Sequence, residues 1–256
     1  MTEYTDHHGP VGLRVRGTIV VVPGRGETRA TYTRLGRRLA ADAYRVRVVD
    51  APELRPDDLD ASLDRLATGL ADAVAGTAGD EGVTDPVVLV GADTGALAVA
   101  ALLGRADLPP GLRPAAAVLA GPPGDRAATP GTWDDELAVR TACPAHRGAL
   151  TDDAGVRRGA LGTPVPPGLT VRARRDGTGG LPVLLLVGDA DPLADRAALA
   201  RTAADRPRTR LSVVRGAHHD VLNDLQHRSV AAEVVTFLET LRNALVPVVA
   251  VESSTW

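Results

Sequence analysis

Residues able to do chemistry gather at three places along this 256-residue chain. Gly91-Ala92-Asp93-Thr94-Gly95 joins an apolar run to an alanine-rich stretch. Small residues at both ends suit a sharp strand-to-helix turn, because only they tolerate the crowding where helix and strand meet. The apex residue, Asp93, is thrust out above the strand beside the free N–H groups of the helix start. A carboxylate there can act as a nucleophile, or it can simply answer the helix dipole. Gly188-Asp189-Ala190-Asp191-Pro192 follows a second apolar run and places Asp191 at its end. Gly216-Ala217-His218-His219-Asp220 follows a third and places His218 or His219 likewise. Nucleophile, acid and histidine thus occur in that order, each directly after an expected strand. Such a set serves nucleophilic catalysis, with the imidazole as base and the second acid holding it.

The elements that must position these groups are readable from periodicity. Continuous β-branched runs such as Thr18–Val22 read as buried strands. Further strands are expected at 44–50, 86–90, 115–120, 181–187 and 211–214. Leucines at helical spacing mark helices between them, for example Leu59, Leu63, Leu66 and Leu70. From 121 to 180 the alternation breaks into Gly- and Pro-rich sequence, with one helical stretch near Trp133–Arg140. The expected fold is therefore α/β: a mostly parallel sheet with helices on both faces and a lid insertion. Residues 1–120 and 181–256 form its core, and 121–180 the lid over the carboxyl edge of the sheet, where such folds bind ligands.

Over nearly its whole length the chain resembles the α/β-hydrolase superfamily. Val22-Pro23-Gly24-Arg25-Gly26-Glu27 looks like the His-Gly-x-Gly-Glu loop of lysophospholipase and monoacylglycerol-lipase relatives, with Pro23 in place of the histidine. Gly216 to Asp224 resembles their histidine loop. The resemblance implies His219 as the catalytic histidine and Asp191 as the acid, with an oxyanion hole from the backbone N–H groups of Arg25 and Thr94. Gly24, Gly26, Trp133 and His146 are further candidates for contacting substrate.

The lipase and esterase relatives carry serine where this chain has Asp93. The five serines cannot replace it: Ser62 and Ser229 fall on expected helices, Ser212 within a strand, and Ser253 and Ser254 in the tail. Aspartate at this position resembles haloalkane and fluoroacetate dehalogenases and epoxide hydrolases. There the carboxylate attacks carbon, and a His-activated water cleaves the resulting ester. The lid lacks the tyrosines of epoxide hydrolases, and Thr94 stands where dehalogenases carry tryptophan or arginine. The expectation is a hydrolase acting on an ester-, epoxide- or halide-type bond of a small or medium organic molecule. The alternatives are a lyase, isomerase or cyclase of secondary metabolism with Asp93 as acid or base, and a non-catalytic ligand-binding homologue.

Composition narrows the rest. The chain has no lysine, which removes Schiff-base and P-loop chemistry, and a single cysteine, Cys143, which removes a disulfide framework. Cys143 and His146 form a conceivable thiol–imidazole pair, but no elbow surrounds them. Gly24-Arg25-Gly26 imitates a dinucleotide loop, yet the third glycine position falls at Arg29. A net charge of −3 argues against nucleic acid as a partner. No apolar run reaches the roughly 18 residues of a membrane span, and the polar start, including His7 and His8, reads as a disordered terminus without a signal peptide. No cofactor, metal or membrane partner is expected, and a cytoplasmic location is; the oligomeric state stays open.

Overall fold

Every residue of Thr18–Val22 is buried, because this β-branched run becomes an inner strand of a sheet covered on both faces. In the computed structural model, which describes residues 3–125, 128, 131–175 and 180–254, seven strands are found among the described residues: β1 (Tyr4–His7), β2 (Thr18–Val22), β3 (Arg45–Val49), β4 (Val87–Ala92), β5 (Ala116–Ala120), β6 (Val183–Gly188) and β7 (Thr209–Val214). Their order is β1-β3-β2-β4-β5-β6-β7. All pairs are parallel except β1 with β3.

Side chains alternate across the sheet with period two. Val20, Val22, Leu89, Ala117 and Leu185 enter one core with helices α2 (Leu59–Ala75) and α3 (Asp93–Leu103). Ile19, Val21, Val88, Val118 and Leu184 enter the other, against α1 (Thr33–Ala41) and α8 (His227–Arg242). Each leucine fully buried there contributes roughly 1.5–3 kcal/mol. Between β6 and β7, helix α7 (Arg196–Asp205) begins on an Asp195 cap whose carboxylate accepts from Ala198 N at 2.9 Å.

Two expectations need correction. The first strand is not disordered: Tyr4–His7 pairs with β3 in antiparallel register. Arg47 fixes it, donating to both Asp6 oxygens at 2.7 Å while lying 3.6 Å from the Tyr4 ring centre. His7 is buried on Gly36, where an added Cβ would lie 2.2 Å from the ring. A polar strand held by side-chain pairing leaves no hydrophobic alternation to read. Second, among its described residues the segment between β5 and β6 holds three α-helices rather than one: α4 (Trp133–Arg140), α5 (Pro144–Asp152) and α6 (Leu169–Arg175). A Thr132–Asp135 capping box starts α4 and Pro144 starts α5. Within this segment, 126, 127, 129, 130 and 176–179 lie outside the described residues. Val246–Val251 forms no strand, and its valines are exposed.

The sheet order turns at β2 and β4, the two neighbours whose following connections run to opposite sides. Crevices open at the carboxyl edge of such switch points. The β2 end delivers Gly24 and Arg25, and the β4 end delivers Asp93. Close packing of α3 under this crevice depends on Gly95, where an added Cβ would lie 2.5 Å from Pro23 O and 2.7 Å from Val22 O. Gly95→Ala is expected to lower stability by about 1–3 kcal/mol in urea unfolding. Gly148→Ala, in α5 with nothing within 4 Å of the new atom, is expected to leave stability equal or raised by about 0.5–1 kcal/mol. Equal behaviour of the two variants would refute the close-packing explanation.

Candidate active site

Asp93 is the first residue of α3 and has φ of +48°, in the left-handed region that side chains other than glycine rarely adopt. The strained apex expected from the Gly91–Gly95 pattern is therefore present. Gly91 serves it by close approach, since an added Cβ would lie 2.6 Å from Gly95 O. The turn aims the Asp93 carboxylate into the crevice, where the residue is only 5% exposed.

Asp191 follows β6 and His219 follows β7 at the same edge. His219 Nε2 lies 3.1 Å from Asp93 Oδ1, and its Nδ1 lies 2.9 Å from Asp191 Oδ2. Asp191 is itself oriented by Leu193 N–H, donated to Oδ1 at 2.8 Å. Of the two adjacent histidines, His219 is thus the one between the carboxylates; His218 faces Asp224 instead. Burial works against a charged His219. The carboxylates of Asp191 and Asp93, one on each ring nitrogen, outweigh it and push the imidazole up to about 10. With both nitrogens facing carboxylates, the imidazolium donates to each.

The site's main surprise is the side chain of Arg25. Its backbone N–H, expected in an oxyanion hole, donates to Asp93 Oδ2 at 2.8 Å. The guanidinium then closes a fork on the same carboxylate, Nε to Oδ2 at 2.9 Å and Nη2 to Oδ1 at 2.8 Å. Its third nitrogen, Nη1, donates to Thr163 O at 2.6 Å. Thr94 contributes its hydroxyl to Oδ2 at 3.4 Å, a long contact. Burial raises the Asp93 carboxyl, but hydrogen bonds from His219 and Arg25 and the Arg25 charge hold it well below the usual carboxylate range.

A second buried layer lies beneath. Glu27 Oε2 accepts from Gly24 N at 2.7 Å and from the Tyr32 hydroxyl at 2.5 Å. Burial, and then the neighbouring Asp220, push the Glu27 carboxyl up. Arg140, 1% exposed, donates to Arg25 O and Glu136 and lies 3.5 Å from Asp220 Oδ1. His146 Nε2 sits 2.9 Å from Asp220 Oδ2. Glu27, His146 and Asp220 bring ligand-type atoms within 4.8 Å of one another. Arg140 already supplies positive charge beside them. Glu27 and Asp220 stand in the two loops that carry the family resemblance, but no role was read for them, nor for Tyr32, Glu136 and Arg140. For the last two the available signal was their i,i+4 spacing, which on a surface helix reads as a solvated pair.

Other candidates are placed elsewhere. Trp133 donates its indole N–H to Thr151 at 3.0 Å and packs with Leu137, Leu150 and Val156, so it anchors the β5–β6 segment. His146 is held by Asp220 rather than facing Asp93. Cys143 is buried, with Arg34 Nη1 3.6 Å from its sulfur. Gly24 does meet the site: a Cβ there would lie 2.7 Å from Asp93 Cβ. Gly26 accepts Arg157 N–H at 2.9 Å and so ties the loop to the β5–β6 segment. Ser62 and Ser229 lie on α2 and α8 and Ser212 on β7, away from the elbow.

One space adjoins the carboxylate and a second adjoins Arg25. The first, of about 10 Å³, is lined by Glu27, Tyr32, Asp93, His219 and Asp220 and is about the space of one water. The other, of about 390 Å³, lies on the far side of Arg25 and is lined by Arg25, Thr94, Arg157 and Arg158 among others.

Comparisons agree with this architecture. A sequence model described as the alpha/beta hydrolase family matches residues 19–234. No curated protein sequence matches the chain. Among solved structures, a monoglyceride lipase from Saccharomyces cerevisiae superposes with TM-score 0.71 at 14% identity, over 93% of this chain and 91% of that one. A monoacylglycerol lipase from Paleococcus ferrophilus gives 0.68 at 18%, over 94% and 99%. An enol-lactonase from Burkholderia xenovorans LB400 gives 0.60 at 18%, over 93% and 97%. Among the described residues, no helix is long and apolar enough to cross a membrane.

The raised His219 value has a sign that can be measured. Its stabilising contribution is complete below the ordinary value of 6.5 and is lost as pH rises through about 10. The imidazole resonances of His219 are expected to titrate near pH 10, and at lower pH in Asp93→Asn. Unfolding free energy in the wild type should decline as pH rises from about 7 to 10. A His219 midpoint near 6.5 in the wild type would refute the two-carboxylate assignment.

Proposed function

Because the chain belongs to the alpha/beta hydrolase family, we propose that it is a hydrolase with Asp93 as nucleophile. His219 transfers the protons and Asp191 holds His219. The carrying observation is the line Asp93–His219–Asp191, at 3.1 and 2.9 Å, with Asp93 on the elbow apex. The substrate is a small or medium organic molecule with an ester-, epoxide- or halide-type bond.

The protonated state of His219 sets the order of events. An Asp93 oxygen forms a bond to the substrate carbon as the bond to the leaving group breaks. A leaving oxygen takes the Nε2 proton of His219; a halide departs as the anion, and the imidazolium releases its proton to solvent. Esterification removes the Asp93 negative charge, which had stabilised the imidazolium. The now neutral His219 takes a proton from water, and the hydroxide attacks the ester carbonyl. The substrate oxygen departs from the Asp93 carbonyl as an alcohol, taking the proton of the newly added hydroxyl, and Asp93 is left as a carboxylate that restores its pairing with imidazolium. The water-sized space beside Asp93 and His219 suits that water. Residues 121–180 act as the cap. In support, Val139 O and Arg140 O accept from His219 N and Asp220 N at 3.2 and 2.8 Å, so this segment is fastened to the site.

A second reading has one observation in its favour. All the Asp93 contacts to Arg25, His219 and Thr94 leave its oxygens fully engaged. That suits a lyase or isomerase in which Asp93 only balances charge around a proton-transferring His219.

Single turnover in ¹⁸O water separates the two. A covalent ester is cleaved at the Asp93 carbonyl, so the label enters Asp93 and the first product carries none. Mass spectrometry of the Asp93 peptide should show a gain of one ¹⁸O. Asp93→Asn should lower the rate by at least ~10³-fold. Label in the first product with an unlabelled Asp93 would exclude the covalent route.

A further inference from the structure

Arg25 stands between the 390 Å³ cavity and Asp93. It lines that cavity, and its guanidinium covers both carboxylate oxygens. A reactant entering from the larger space therefore meets Arg25 first. Attack by Asp93 also needs a free oxygen lone pair. Oδ2 already accepts from Arg25 N and Nε, and Oδ1 from Arg25 Nη2 and His219 Nε2.

The cavity's uncompensated charge is positive. The Arg157 side chain has no hydrogen bond or ion pair among the described residues. Arg158 donates to Thr151 O at 3.2 Å and lies 5.3 Å from the Trp133 ring centre, without a carboxylate partner among the described residues. The one acid on the wall, Glu53, lies 3.2 Å from Arg55, which answers it. Arginine prefers a planar two-oxygen acceptor, and a bidentate partner can be exchanged for another of the same shape without leaving the guanidinium unpaired. Withdrawal without such a partner would strand a buried cation and is strongly disfavoured.

We infer that the substrate is a carboxylate-bearing molecule whose anionic group takes the Arg25 fork, steered by Arg157 and Arg158, and thereby releases Asp93. Arg25 is then both the specificity-determining residue and a latch: compounds without the anion leave Asp93 covered. Once released, the Asp93 carboxylate keeps the hydrogen bond from His219 Nε2. The inference rests on Asp93 being the reacting group, but its test does not depend on turnover.

The probes are 4-phenylbutyrate and its neutral isostere 4-phenylbutyramide, titrated into the intact protein by calorimetry and by NMR of the His219 Nε2–H. The carboxylate is expected to bind at least tenfold more tightly than the amide and to shift the Nε2–H signal, since Asp93 is its acceptor. Arg25→Met should abolish that preference. Arg157→Met, at an exposed position that folding does not need, should reduce it several-fold and keeps the test open if the Arg25 variant fails to fold. Equal binding of acid and amide, an unmoved Nε2–H signal, or a preference undiminished in both variants would overturn the inference. Anion binding with these signatures but no label in Asp93 would keep the latch and reject the covalent reading.

Discussion

Putting a carboxylate out of reach of water is strongly unfavourable unless hydrogen bonds and opposite charge replace what water supplied. Asp93 imposes that requirement on this fold. At 5% exposure it is met by five donors from three neighbouring residues: the Arg25 backbone and fork, His219, and distantly Thr94. Each partner brings its own requirement. The Arg25 guanidinium needs the carbonyl of Thr163, and its backbone oxygen accepts from Arg140. Arg140 then needs Glu136 and Asp220. Glu136, fully buried, is satisfied by Arg140 and by the backbone of Gly159 and Leu161. The charged network thus extends from the elbow into α4 and residues 159–163 of the β5–β6 segment.

The same chain of dependence explains how that segment is fixed with little hydrophobic core of its own. Its apolar clusters are small, Leu137–Leu150–Val156 and Ala128–Leu161–Leu193. Leu169 and Ala173 of α6 join the main core beside α3, and backbone bonds to Gly26, His219 and Asp220 and the buried arginines fasten the part nearer the site. Packing against the site loops and charge pairing at the site are one structural event, so a change at Arg25 or Arg140 reaches the walls of the cavity as well as Asp93.

Much of the core was legible in the sequence because its physics is local. Thr18–Val22 and Val87–Val90 read as strands from β-branched runs, and the Gly91–Gly95 pattern announced a crowded turn with Asp93 at its apex. What was missed depends on partners far away in the chain. Tyr4–His7 became a strand because Arg47 pairs with Asp6, 41 residues away. Trp133 resembled a pocket residue until Thr151 was seen to hold it. Glu136 and Arg140 lie four residues apart on α4, but what buries them is distant in the chain: Arg140 donates to the carbonyl of Arg25, 115 residues away.

The sequence by itself determined the α/β alternation, the elbow and the absence of any serine able to replace Asp93. These follow from periodicity, steric size at a tight turn, and residue type. Tertiary structure alone decided that both imidazole nitrogens of His219 meet carboxylates and that Arg25 turns its side chain inward onto Asp93. An arginine after a Gly-rich turn has no local reason to point inward. It does so because the ends of β2 and β4, 68 residues apart at Arg25 and Asp93, are brought side by side at the switch point. There a buried carboxylate and the nearest cation must satisfy each other.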